Sequence, residues 1–300
     1  MKKLLIVLFL FNFNFTIAQQ IPQISGFNFY NEFYNPASIG MKYELNVGTL
    51  IRKQWVGFEG SPFIIGVFGD YTFRNRVSKV GLQYNYDQLG SFKHNQIRAI
   101  YCHQFRLSRK LTMQLALSPE LFFTTANFNF IANDPNDPAL PPNGISKGAA
   151  FTFSSGITVF TPRFLFGFAS NQILESKINV IHYQLIRHYL VTMMYQIKIS
   201  DNYSLTPMAH FKTDTGSHQW DFILQNEYKN KYILGVGYRI KDAVTFQVGF
   251  KWSTFTIAYM YDLTTSEIKN YSKGSHEIFF KWGKIKWKSK GGRTIIMPNF

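Results

Sequence analysis

Residues able to cut, transfer or coordinate are present in this chain, but they are not gathered into a pattern that does so. The seven histidines, His94, His103, His182, His188, His210, His218 and His276, fall at spacings that fit no metal site. No serine sits in a Gly-x-Ser-x-Gly elbow, where a strained turn would expose a nucleophile. Neither a phosphate loop nor a dinucleotide fingerprint is present. The single cysteine, Cys102, excludes an internal disulfide and a cysteine-based zinc site. The run Asn133-Asp134-Pro135-Asn136-Asp137-Pro138 has the oxygen density of a calcium loop. Its prolines fit a turn-forming loop better. Asp134, His188 and a loop serine form a triad only if forced together. The sequence therefore argues against an enzyme, and no cofactor or metal is expected.

The charges that do follow a rule fall on the polar face of alternating segments: Arg52, Asp87, Arg98, Lys198, Asp221, Glu227, Arg239, Lys251, Asp262, Glu277 and Lys281. Charges enclosed in that way must pair or meet water. The elements that carry them have a period of two. In Ala243–Trp252 one face is Val244, Phe246, Val248, Phe250 and Trp252, and the other is Ala243, Thr245, Gln247, Gly249 and Lys251. Val80–Asp87 and Lys231–Ile240 alternate in the same way. Such alternation marks strands with one apolar and one polar face.

The apolar faces end in aromatics, as interfacial girdles do, and the opposite faces are polar or glycine, as a lumen requires. Each segment is near the ~9–11 residues of a tilted membrane strand. Lipid leaves no backbone group unpaired, so such strands must close into a barrel. The expected fold is all-β: an antiparallel up-and-down outer-membrane barrel of about 14 strands. They start near Glu44, Ser61, Ser78, Phe92, Leu111, Gly148, Arg163, Ile186, Asn202, His218, Lys231, Ala243, Thr254 and His276. Segments four, six and nine alternate less regularly, which leaves 12 or 16 strands open. Connection lengths support fourteen: every second one is short, and the long ones, 126–147, 172–185 and 263–275, share one end.

Composition agrees. The chain is 46% hydrophobic, 18% aromatic and 16% charged, which excludes disorder. The 31 Phe, 17 Tyr and 5 Trp are expected mostly to face lipid. Met1-Lys2-Lys3, the apolar run Leu4–Phe11 and Thr16-Ile17-Ala18 read as a signal peptide cleaved after Ala18. The expected organisation is a leader (1–18), a periplasmic or lumen segment (19–43), the barrel (44–287) and a basic tail (288–300). Export argues against nucleic acid as the partner of the +15 net charge. The positive residues gather instead at the periplasmic turns, Arg74, Arg76, Lys79, Arg106, Arg109, Lys110 and Arg163, and in Lys284, Lys286, Lys288, Lys290 and Arg293. That rim could meet an acidic periplasmic partner or lipid phosphates.

Several motifs resemble a known family. Tyr34-Asn35-Pro36-Ala37-Ser38-Ile39-Gly40 and Arg52-Lys53-Gln54-Trp55-Val56-Gly57-Phe58-Glu59-Gly60-Ser61-Pro62 are similar to the opening of the PorP/SprF family of the type IX secretion system. Gly235-Val236-Gly237-Tyr238-Arg239 with Asp242-Ala243, then Tyr259-Met260-Tyr261-Asp262 and Gly274-Ser275-His276-Glu277-Ile278, resemble its late hairpins. The terminal Met297-Pro298-Asn299-Phe300 has Met where the family usually has Cys. The resemblance implies a non-catalytic barrel in the bacterial outer membrane. It implies partnership in the export and surface attachment of large adhesins that carry a gliding-type C-terminal sorting domain. It equally allows a core role, linking the outer membrane to periplasmic machinery. Placed on the strands, Arg52, Gln54, Trp55, Phe58, Asp87, Arg239, Asp242, Tyr261, Asp262, Ser275, His276 and Glu277 become candidates for an extracellular mouth that holds the cargo domain. The competing reading is a channel for small solutes such as fatty acids.

Overall fold

A computed structural model describes residues 21–127, 144–178 and 183–284. The leader, the run Asn133–Pro138, His182 and the tail residues Lys286, Lys288, Lys290 and Arg293 lie outside the described residues. Fourteen strands form the wall: β1 (Leu45–Lys53), β2 (Phe63–Thr72), β3 (Ser78–Leu89), β4 (Phe92–Arg106), β5 (Thr112–Asn127), β6 (Ile145–Phe160) and β7 (Phe164–Asn171). They continue as β8 (His188–Tyr195, resuming after Gln196 as Ile197–Ser200), β9 (Tyr203–Thr213), β10 (His218–Tyr228), β11 (Tyr232–Arg239), β12 (Ala243–Trp252), β13 (Phe255–Thr264) and β14 (Ser275–Lys284). Each pairs antiparallel with its chain neighbour, and β1 pairs with β14 from Leu45↔Lys284 to Lys53↔His276, which closes the barrel. The expected starts fall on or close to the observed ones; the largest difference is β6, which begins at Ile145 and not Gly148.

Alternation puts Leu82, Leu234, Val236, Phe246 and Val248 on the outer wall, exposed to lipid, and Gln83, Gln114, Thr158, Gln225 and Gln247 on the buried inner face. β5 is irregular for a local reason. Pro119 has no N–H to give Ala99 opposite, and the Ser118 hydroxyl donates to the Ala99 carbonyl instead, at 2.8 Å. Lys198 does not face a closed lumen as its parity suggested. It lies at the periplasmic end of β8, just before a register shift, exposed, with its ammonium on Asp201.

The lumen is filled by the chain itself. Residues 21–43, including the 3-10 turns Asn31–Phe33 and Pro36–Ser38, pack Ile24, Phe27, Tyr30, Phe33 and Tyr34 against wall residues Phe68, Leu165, Met194, Met208 and Phe279. The Tyr30 ring stacks on Phe68 at 4.4 Å and Tyr34 on His210 at 4.6 Å. Beside the many aromatics that face lipid, a group of them faces inward, because an enclosed lumen is a second place to bury apolar surface, at ~1.5–3 kcal/mol per large side chain.

Asn35 explains why its motif matters locally. Its carboxamide caps Ala37 N at 2.9 Å and donates to Thr158 Oγ1 at 3.1 Å. It rests where Gly156 and Gly167 leave room: a Cβ on either would come within 2.1 Å or 2.8 Å of the Asn35 side chain. Further along, Ile39 packs on the buried Cys102.

The segment runs the height of the barrel. Ile21 lies beside Asp87, His94 and Gln172 in the outer half, and Tyr43 lies beside Gly283, where β1 starts and β14 ends. The short turns 73–77, 107–111, 161–163, 201–202, 229–231 and 253–254 mark the periplasmic end, and the longest connections lie at the other.

Candidate functional site at the outer mouth

The inward charges of five strands converge near the outer end. Arg52 (β1) faces Glu277 (β14) across the closing seam, and Asp262 (β13), Arg239 (β11) and Asp221 (β10) complete the group. Arg52 pairs with Asp262 at 2.8 Å and Glu277 at 3.1 Å. Arg239 pairs with Asp221 at 2.6 Å, with Asp242 at 3.1 Å and with Asp262 at 3.2 Å. All but Asp242 are buried. Two guanidiniums among four carboxylates are stable there only because nearly every lone pair has a donor.

Those donors come largely from Ser25 and Gly26. Ser25 N donates to Glu277 Oε2 at 2.8 Å, and Gly26 N to Glu277 Oε1 at 2.7 Å. Ser25 Oγ donates to Asp262 at 2.6 Å and accepts from Arg52 at 2.9 Å and Arg239 at 3.0 Å. Gln247 donates to the Ser25 carbonyl at 3.0 Å. A Cβ on Gly26 would meet Met260 at 2.5 Å and Glu277 at 2.8 Å. The wall thus grips a Ser-Gly step through both amides, a carbonyl and the hydroxyl. Lower down, Arg98 donates to the Phe33 carbonyl at 3.0 Å while pairing with Glu120 at 2.7 Å.

The sequence candidates divide accordingly. Arg52, Arg239, Asp262, Ser275 and Glu277 are brought together but are buried, and the partner that most of them hold is the chain's own N-terminal segment. Gln54 is also buried. Trp55, at a left-handed φ of 49°, starts the first outer loop and donates its N–H to Ser275 Oγ at 3.1 Å. That loop is stitched to the last one by Val56 N→Gly274 O (2.8 Å) and Lys273 N→Val56 O (2.7 Å). Phe58 (42% exposed) and, across the stitch, Tyr271 (70%) stand on the rim. Asp87 borders a small cavity with Ile21 and His94. Tyr261 and His276 do not face the mouth: their parity places them on the outer wall, where His276 meets Tyr259 at 2.6 Å. Lys284, of the periplasmic-partner set, is exposed at the far end of β14.

The sequence model of the type IX secretion system membrane protein PorP/SprF matches residues 16–282. The chain belongs to the PorP/SprF family. It is an outer-membrane β-barrel. A search of curated proteins finds no match. Among solved structures, the CymD monoaromatic hydrocarbon channel is similar at TM-score 0.50 and 10% identity, over 86% of this chain and 93% of that one. The Ralstonia pickettii toluene transporter TbuX is similar at TM-score 0.50 and 12% identity, over 84% and 92%. Outer membrane phospholipase A from Escherichia coli is similar at TM-score 0.38 and 8% identity, over 79% and 92%. At these identities the likeness is one of fold. Among the described residues, no three His, Cys, Asp or Glu side chains are grouped to hold a metal.

Sequence reasoning missed Ser25 and Gly26, which carry neither charge nor alternation. It also missed Asp70, Glu120 and Lys212, and it set Lys79 on the periplasmic rim, whereas all four are buried on the inner wall. Extending the alternation of their strands to every charged position would have placed these four.

Proposed function

We propose that this PorP/SprF barrel is a non-catalytic holder for large type IX secretion cargo, engaging the cargo's gliding-type C-terminal sorting domain at its extracellular rim. The observation that carries this reading is the filled lumen. Residues 21–43 occupy the interior and are locked by Ser25 and Gly26, so a partner approaching from outside meets the stitched loops and not a pore. The exposed Phe58 and Tyr271 supply apolar and aromatic contact there. Arg52, Arg239, Asp262 and Glu277 act in this reading as positioning residues: they hold the plug and, through Trp55 and Ser275, the two loops. At the other end, Lys284 and the basic residues that follow it are the surface for an acidic periplasmic partner.

The same filling weighs against the solute channel, since a diffusing molecule would have to displace a buried segment. The test is affinity purification from the native outer membrane with identification of the bound proteins. A large secreted protein recovered with the barrel is the expected result. A barrel recovered without any such protein, and conducting solute on its own, overturns the proposal.

A further inference from the structure

On the lipid-facing wall of β3–β6, near the outer end, one cross-strand row reads Gln88, Lys93, Thr125 and Lys147. These residues share the outward parity of Leu82, Ile97, Phe123 and Phe151, and both lysines are exposed. Adjacent strands lie about 4.8 Å apart, so the lysines stand ~10 Å from each other with Thr125 between them. Neither ammonium has an ion-pair partner among the described residues. Lys53, at the outer end of β1, is by contrast tied to the Ser61 carbonyl at 2.8 Å. The only carboxylates on β3–β6, Asp87 and Glu120, face the lumen.

The neutral polar groups of this face are also arranged to donate. Tyr84 Oη donates to Asn95 Oδ1 at 2.7 Å, and Tyr86 Oη to Gln88 Oε1 at 2.8 Å. Each amide thus has its oxygen occupied and its NH2 group left to donate. Further into the membrane the same face turns apolar, with Phe123, Ile97, Leu121 and Phe151 exposed. The depth is set by β4. Twelve residues separate Lys93 from the outward Phe105 at the periplasmic end of that strand. At ~3.4 Å per residue and a tilt of ~40°, this is ~31 Å of height, more than the ~25 Å apolar band of such barrels. Lys93 and Lys147 therefore stand at the level of the outer-leaflet headgroups. Donors without acceptors above an apolar face fit an amphiphile with an anionic, acceptor-rich head.

We propose that this face binds lipopolysaccharide through a phosphate of its lipid A. The phosphate sits over Thr125 and accepts from Lys93, Lys147 and the threonine hydroxyl, with the Asn95 and Gln88 amides beside it. The acyl chains lie on Phe123, Leu121 and Phe151. The site is independent of the cargo reading: it is on the wall, below the rim loops that carry Phe58 and Tyr271.

The experiment measures binding of the full-length barrel, in neutral detergent, to monophosphoryl lipid A, the same lipid A after dephosphorylation, phosphatidylglycerol and inorganic phosphate. Lipid A with its phosphate is expected to bind. Removing the phosphate should weaken binding about tenfold or more, as the loss of charge-assisted contacts requires. Phosphatidylglycerol and inorganic phosphate, which lack the acylated sugar, should bind more weakly than lipid A. Lys93→Gln and Lys147→Gln should each weaken lipid A about fivefold. Both side chains are exposed on the wall, so the fold is kept. Lys231→Gln, in a periplasmic turn, should bind as the wild type does. Dephosphorylated lipid A or phosphatidylglycerol binding as tightly as lipid A, inorganic phosphate alone binding equally well, or Lys231→Gln weakening binding as much as the outer variants would each overturn the proposal. So would unchanged binding by Lys93→Gln and Lys147→Gln, or no binding of lipid A at all.

Discussion

Replacing Glu277 by Gln should loosen the N-terminal segment without unfolding the wall. The Glu277 carboxylate accepts from Ser25 N and Gly26 N and pairs with Arg52, and its side chain is fully buried. An amide keeps one acceptor oxygen but turns an N–H toward either a backbone N–H or the guanidinium. Breaking a buried pair by removing one partner costs about 3–5 kcal/mol. Arg52 keeps Asp262 at 2.8 Å, so the lower end applies, about 3 kcal/mol. At a factor of ten per 1.4 kcal/mol, the released fraction of the segment should rise on the order of a hundredfold. Amide hydrogen exchange of the purified barrel measures this directly, because local opening sets exchange. Peptides covering 21–34 should lose protection by about that factor, while 112–127 in β5 stays protected. Unchanged exchange over 21–34 in a folded Glu277→Gln barrel would refute the claim that this carboxylate holds the plug.

Other expectations follow from the same geometry. In planar bilayers the wild-type barrel should be silent, and Gly26→Val, which forces a side chain into Met260 and Glu277, should show opening events. Gly156→Val, which displaces Asn35 from its seat, should destabilise the segment by about 1–3 kcal/mol, read as faster exchange over 31–38. A membrane-impermeant maleimide on intact cells should label Lys269→Cys in the outer loop and not Arg109→Cys in a periplasmic turn; the buried Cys102 gives no background. Exchanging Lys284, Lys286, Lys288, Lys290 and Arg293 for Gln should remove an acidic periplasmic partner from the purified complex while leaving cargo in place.

Much of the barrel is written in local pattern. Each strand must show one face to lipid and one to the lumen, so residues such as Val244 to Trp252 announce their element without reference to any other. The inward charges were legible for the same reason: Arg52, Arg239, Asp262 and Glu277 keep the polar, lumen-facing parity of their strands. Their partners were not. Ser25 and Gly26 are small, uncharged and outside any periodic run, and their importance exists only once five strands surround them. The inward aromatics were hidden by composition itself, because Phe and Tyr suit a lipid girdle and a packed lumen equally well. Tyr261 and His276 share motifs with true inner residues, and only counting parity from Asp262 and Glu277 separates them.

Site-specific photocrosslinking from the rim in the native membrane tests the central claim most directly. A photoreactive side chain at Phe58 should form an adduct with a large secreted protein, while the same group at Leu234, on the lipid-facing wall, or at Arg109, in a periplasmic turn, should not. An adduct pattern that is the same at all three positions, or absent at Phe58 in cells displaying cargo normally, would contradict a barrel that holds its cargo at the outer mouth.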